Sequence, residues 1–149
     1  MKVAIIGSGF FGITLGLILS KKYNVDIYEK EEKILCGASS ANQFRFHLGY
    51  HYPRSQKTII EINKSKNLFI SFYGDQIFGK TFNYYLVAIK SRVNYEKYRN
   101  FLIKNKLFYL KKDLFINNKF IKKTIITNEK ILNIFNFKKI ILNKIKKSK

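Results

Sequence analysis

The chain has 149 residues, 46% of them hydrophobic and 16% aromatic, enough for about one domain with a buried core and too apolar for wholesale disorder. Its formal net charge of +20 invites a nucleic-acid reading, but the lysines are spread thinly from Lys57 to Lys149 and the arginines number only Arg45, Arg54, Arg92 and Arg99. Base-reading surfaces favour arginine forks, so the charge reads as the Lys/Asn/Ile vocabulary of an AT-rich genome, and no specific nucleic-acid partner is expected.

In chain order, Lys2–Ile6 is a short β-branched apolar run, a buried strand ended by Gly7. Phe11–Lys22 reads as a helix and Asn24–Tyr28 as a second strand with Glu29 at its end. The apolar run Val3–Leu19 after a basic start also has the outline of a signal peptide. Its breaks at Gly7, Gly9, Gly12 and Gly16, and the strand that follows it, oppose export. No segment approaches the ~20 apolar residues of a membrane span. Cys36 is the only cysteine, which rules out an internal disulfide and a CxxC metal site and fits a reducing cytoplasm. No metal site is expected.

Glu31–Tyr52 has no clear period and reads as a loop closed by Pro53, the only proline. Ser55 is a good N-cap for a helix carrying Ile59, Ile62, Phe69 and Phe72, with Gly74 as its stop. Phe82–Ile89 is aromatic and branched and predicts a strand. Asn94 caps a short helix with Tyr95, Tyr98, Phe101 and Leu102 inward, and Lys111–Ile126 predicts short strand pieces. Asn128 starts a final amphipathic segment through Ile131, Leu132 and Phe135, and the lysine run from Lys138 to Lys147 reads as a solvated, frayed end.

The stretch Gly7-Ser8-Gly9-Phe10-Phe11-Gly12 matches GxGxxG. The pattern gains force from its context: it follows a strand, opens a helix, and has a carboxylate at the end of the next strand. Gly7 permits the tight turn, Gly9 lets a pyrophosphate approach the backbone, and Gly12 lets helix and strand pack closely. The helix N-terminus offers free N–H groups and partial positive charge to phosphates. Glu29, with Lys30 beside it, is placed for the adenosine ribose hydroxyls, and a carboxylate there disfavours a 2′-phosphate and hence NADP. The unit from Met1 to Lys30 is therefore a dinucleotide-binding βαβ unit.

The loop Gly37–Ser55 carries GxSxxNQxRxHxGxHYPRS. With the glycine loop and Glu29, it resembles the FAD-dependent oxidoreductases of the D-amino-acid-oxidase-like superfamily. The resemblance runs through the helix after Pro53 and the Phe82–Ile89 strand, and more weakly to about Ile134. It implies an α/β fold: a Rossmann-like FAD-binding unit of the glutathione-reductase type, with part of an antiparallel substrate domain and an incomplete sheet. Residues 1–75 form the FAD-binding part, residues 76–127 the partial substrate domain, and residues 128–149 a lysine-rich helical segment. It implies FAD as cofactor, with Ser39, Ser40, Asn42 and Gln43 along it and Arg45 and His47 nearer the flavin ring and substrate.

These residue types suit those places. Small hydroxyls and amides bond phosphate and flavin edges, Arg45 can clamp a carboxylate with two parallel bonds, and His47 can relay protons near neutral pH. The implied function is oxidation of a CH–NH or CH–OH carbon of a small, carboxylate-bearing substrate by hydride transfer to flavin. Complete members of the superfamily are more than twice this length, so an N-terminal part of such an enzyme is expected, with a second chain as the source of the missing half. The alternatives are a non-catalytic ADP- or FAD-binding fragment acting with a partner chain, and, on the glycine fingerprint alone, an NAD-dependent dehydrogenase.

Overall fold

The computed structural model describes residues 1–112 and 119–148. The chain forms two compact units, Met1–Phe44 with Asn133–Lys149, and Arg45–Leu132. These units cut the chain differently from the divisions at 75 and 127 that the resemblance implies: the last helix lies in the first unit and the helix after Pro53 in the second.

The first unit is a βαβ unit with a helix added. Strand β1 (Lys2–Ile6) pairs in parallel with β2 (Asn24–Tyr28), in a register that sets Lys2 against Asn24 and Ile6 against Tyr28. Helix α1 (Phe10–Leu19) connects them, starting one residue before the predicted helix and ending three before it. Ile13 and Leu17 are buried on its packed face, with Ile5 from the sheet. A Cβ on Gly16 would stand 2.7 Å from Ile27 Cδ1, so this glycine lets α1 lie close to β2. A two-stranded parallel sheet covers little apolar surface of its own, and Ile6 and Phe11 remain 83% and 84% exposed.

The end of the chain corrects an expectation. Asn128 starts no helix: Lys130–Leu132 is a strand, and the helix that follows spans Ile134–Lys147. Its cap is Asn133, whose Oδ1 accepts from the N–H groups of Phe135 and Asn136 at 3.1 Å each. Asn128 and Asn133 are equally good caps by residue type, and the competition is settled by Glu129, which is buried in the second unit. The lysine run is helical, as a lysine-rich helical segment should be, and stays so through Lys147. Lys144, Lys146 and Lys147 occupy its last turn, where the helix dipole favours cations. Phe137 and Ile141 are its buried face, and the Phe137 ring lies 6.1 Å from that of Phe10.

The second unit is built on antiparallel pairs. Short strand β3 (Arg45–Phe46) and β4 (Phe78–Gly79) flank Lys130–Leu132, and β5 (Asn83–Ala88) and β6 (Tyr109–Lys111) flank β7 (Ile121–Thr127). Lys130–Leu132 is thus β8, and the last helix is α4, after α2 (Gln56–Tyr73) and α3 (Tyr95–Lys104). Along β5, Asn83, Tyr85 and Val87 are buried and their neighbours exposed, the alternation of a half-covered strand. Tyr50, Tyr85, Val87, Tyr98, Leu102 and Ile125 form the core with Tyr95.

Two helix starts match their expected caps. Ser55 Oγ accepts from Thr58 N–H at 3.4 Å and Asn94 Oδ1 from Lys97 N–H at 2.9 Å. Gly74, at φ +85°, ends α2. Part of the strand pieces expected in Lys111–Ile126 falls on residues 113–118, outside the described residues. No described helix is long and apolar enough to cross a membrane.

Candidate functional site

The glycine loop turns as its spacing requires. Gly7 has φ +95°, in the left-handed region. A Cβ on Gly12 would run into the Gly7 carbonyl oxygen, so the third glycine is fixed by the loop's own backbone. Gly9 is the N-cap of α1 with φ −68° and ψ 178°, a conformation open to any residue. A Cβ there would meet only Ser39 Oγ, at 3.4 Å. Packing around Gly9 therefore does not itself require a glycine. The first turn of α1 carries no acid, so its N-terminus keeps its positive end.

Two side chains from later in the unit close on this loop. Ser39 Oγ accepts from Phe10 N–H at 3.0 Å. Glu29 Oε2 accepts from the N–H of Ser8 at 2.6 Å and from its Oγ–H at 2.7 Å, and Glu29 Oε1 accepts from Glu31 N–H at 3.0 Å. These bonds, the one from Glu31 first, hold the Glu29 carboxyl down at about 2, so it is an anion at neutral pH with oxygen lone pairs still open to solvent. The loop after β2 is tied back through Leu35 N–H, which donates to the Ser8 carbonyl at 3.0 Å.

A groove of about 840 Å³ runs along β2 and is lined by Ser8, Ile13, Ile27, Glu29, Ile34 and Ile145 among others. Its size is in the range of small-molecule sites. A helix N-terminus, a glycine with room for an oxyanion beside it, and an ionised carboxylate at the ribose distance in sequence together fit the ADP portion of a dinucleotide.

The other expected contacts of the first unit serve the loop itself. Ser40 Oγ donates to the Gly37 carbonyl at 2.9 Å, and Asn42 spans the Ala38 carbonyl and the Phe44 N–H. Lys30 Nζ lies 3.7 Å from Glu31, while Gln43 and Phe11 are exposed.

Arg45 and His47 lie in the second unit, where the structure brings them to a residue the sequence did not single out. Glu129 is 1% exposed. Its Oε1 accepts from Leu48 N–H at 3.0 Å and lies 3.6 Å from His47 Nδ1. Its Oε2 accepts from Tyr85 Oη–H and lies 4.0 Å from Arg45 Nη1. Burial works to raise the Glu129 carboxyl, but the bonds from His47, Tyr85 and Leu48 outweigh it and hold it below the ordinary range. Burial and the Glu129 charge move the Tyr85 hydroxyl up, so it stays a donor.

Arg45 Nη1 is 2.9 Å from His51 Nε2, and its guanidinium sits 5.4 Å from the Tyr85 ring centre. An arginine only donates, so His51 accepts through Nε2 and is neutral. Burial, opposed by Glu129 and helped by His47 and Arg45, also lowers its pKa. His47, His51 and Glu129 offer ligand atoms within 4.8 Å of one another. A cation there would face the Arg45 guanidinium and compete with it for the His51 lone pair, so the cluster suits proton handling better than metal binding. Beside it, a cavity of about 380 Å³ is lined by Tyr50, His51, Arg54, Tyr85, Arg92 and Tyr98.

Comparison with known proteins fits this geometry. Residues 5–75 match the family of NAD(P)-binding Rossmann-like domains. The FAD-dependent monooxygenase FPY4 of Fusarium mangiferae is 30% identical over 99 residues, 65% of this chain and 27% of that protein. The glycine oxidase of Geobacillus kaustophilus superposes with a TM-score of 0.72 at 14% identity, over 98% of this chain and 44% of the oxidase. That of Bacillus cereus ATCC 14579 gives 0.68 at 16% identity, over 99% of this chain and 44% of the oxidase. The chain thus spans less than half the length of these relatives. Residues 5–75 thus match the NAD(P)-binding Rossmann-like domain, and the chain shares the fold of the part of these glycine oxidases that it covers.

Proposed function

We propose that the chain binds FAD and forms part of an oxidoreductase that oxidises a CH–NH or CH–OH carbon of a small, carboxylate-bearing substrate. The observation that carries this reading is the glycine loop. Gly9 keeps open space at the N-terminus of α1, Phe10 N–H and Ser39 mark its rim, and Glu29 stands ionised beside it. The FAD-dependent relative and the glycine oxidase fold favour FAD over a nicotinamide cofactor.

In this reading the N–H of Phe11 and the hydroxyl of Ser39, held by Phe10 N–H, meet the pyrophosphate, with Ser8 and Gly12 shaping the loop, and Glu29 accepts from the ribose hydroxyls. Ser39 shares the phosphates. Ser40, Asn42 and Gln43 hold the loop that follows the cofactor. The bound flavin supplies the hydride-accepting chemistry. The substrate's N–H or O–H proton goes to His47, and Arg45, which keeps N–H donors beyond the Nη1 near His51, holds the substrate carboxylate. Turnover involves a second chain or further sequence, as the relatives' greater length indicates. The small-molecule substrate and cytoplasmic location belong to the same proposal.

The test is titration of the purified chain with FAD and, separately, with NADH, followed by flavin fluorescence and nicotinamide fluorescence. Saturable binding of FAD alone supports the reading. Binding of NADH alone moves the chain to the dehydrogenases, and binding of neither refutes a working cofactor site.

A further inference from the structure

Glu129 is the one residue of the Arg45–His47–His51 cluster that is fully withdrawn from solvent: its side chain is 0% exposed, against 42% for His47 and 19% for Arg45. It sits in the two-residue connection between β7 and β8, and Asn83 Nδ2–H, from β5, donates to its main-chain carbonyl. The carboxylate is therefore anchored by strands on both sides. One of its oxygens faces both the N–H of Leu48 and the ring Nδ1 of the preceding residue, His47. The other takes the Tyr85 hydroxyl and faces the Arg45 guanidinium.

A buried carboxylate can only accept, and the Glu129 charge 3.6 Å from Nδ1 of His47 favours a proton on that nitrogen, which leaves the lone pair of the neutral ring on Nε2. Above the cluster the His47 ring is approached edge-on by His51 and Tyr52, with ring centres 5.3 and 6.2 Å away, which fixes its plane. A base oriented by a third, buried group is the arrangement that proton transfer at a reacting atom needs.

We propose that Glu129 is a positioning residue, fixing His47 as its Nδ1–H form so that Nε2 is the free proton acceptor. This rests on the reading of His47 as the group that takes the substrate's proton. Glu129 itself touches neither substrate nor cofactor in this role. By holding Arg45 on its second oxygen it also sets the guanidinium beside the histidines.

The inference is tested on the full chain without any cofactor, by ring-nitrogen NMR of histidine-labelled protein at about pH 8, where imidazole is ordinarily neutral. The chain has only two histidines, and His51→Gln assigns them. His47 is expected with its proton on Nδ1. Glu129→Gln should keep that form, because an amide oxygen still accepts from Nδ1–H. Glu129→Ala should release the ring toward the Nε2–H form usual for free histidine. A wild-type His47 protonated on Nε2 overturns the proposal, and so does a folded Glu129→Ala protein that keeps Nδ1–H. If Glu129→Ala fails to fold, the wild-type and Glu129→Gln spectra still decide. Adding FAD to the same samples separates the two ideas: no binding with His47 held as Nδ1–H refutes the cofactor reading while the Glu129 control of the His47 ring form still stands.

Discussion

The glycine loop and the Glu129 cluster are built in opposite ways. The loop is made of backbone: its key residues have no side chain, its partners Glu29 and Ser39 lie within about one βαβ unit of it, and its bonds to them are only part-buried. The cluster is made of side chains from five places between Arg45 and Glu129, and its centre is buried. A backbone site tolerates loss of any one side chain but not a change of turn. A buried ionic site fails when one partner goes, because the rest are left unpaired.

That contrast orders the expected effects of mutation. Glu129→Ala should cost the most, about 3–5 kcal/mol, since Leu48 N–H, Tyr85 and Arg45 lose their common acceptor. Urea unfolding measures it, and a loss under about 1 kcal/mol would show that the cluster is not a buried ionic centre. Gly12→Ala should cost about 1–3 kcal/mol, because its methyl collides with the unyielding Gly7 carbonyl. Gly9→Ala, with only Ser39 Oγ nearby, should leave stability within about 0.5 kcal/mol. Equal costs at the two glycines would break the distinction between packing and ligand space.

Ser39→Ala should cost about 1 kcal/mol, the net worth of its bond to Phe10 N–H. The smallest effect concerns pH. Glu29 is held at about 2 in the folded chain against an ordinary 4.5. A depressed carboxyl stabilises above its unfolded value and loses that stabilisation as pH falls through its folded value. The melting temperature should therefore decline between pH 4.5 and about 2, and Glu29→Gln should flatten that part of the decline. An identical slope in both proteins would remove Glu29 from the loop's electrostatics.

The same contrast explains what could be read in advance. The loop announces itself because each of its requirements falls on a residue type at a fixed spacing: Gly7 for positive φ, Gly12 for close approach, Glu29 at the strand end. The caps Ser55, Asn94 and the stop Gly74 were legible for the same reason, since each acts on its own neighbours. Glu129 was not legible. A single acid in Thr127-Asn-Glu-Lys130 has the look of a helix start, and only long-range pairing of β8 with β3 and β4 turns it inward. Arg45 and His47 were found through the loop motif, but their partner lies 81 residues beyond Leu48, where local pattern carries no signal. The lysine-rich helix at the end is legible as a helix, while its start at Asn133 is not, because β8 claims the residues after Asn128.

In the proposed reading, the space at Gly9 takes a pyrophosphate. The most direct measurement is FAD affinity of wild type and Gly9→Val by flavin fluorescence, with unfolding curves for both. Saturable binding by wild type, lost at least tenfold in a Gly9→Val protein of unchanged stability, is the predicted result. Equal affinity in the two proteins would contradict it.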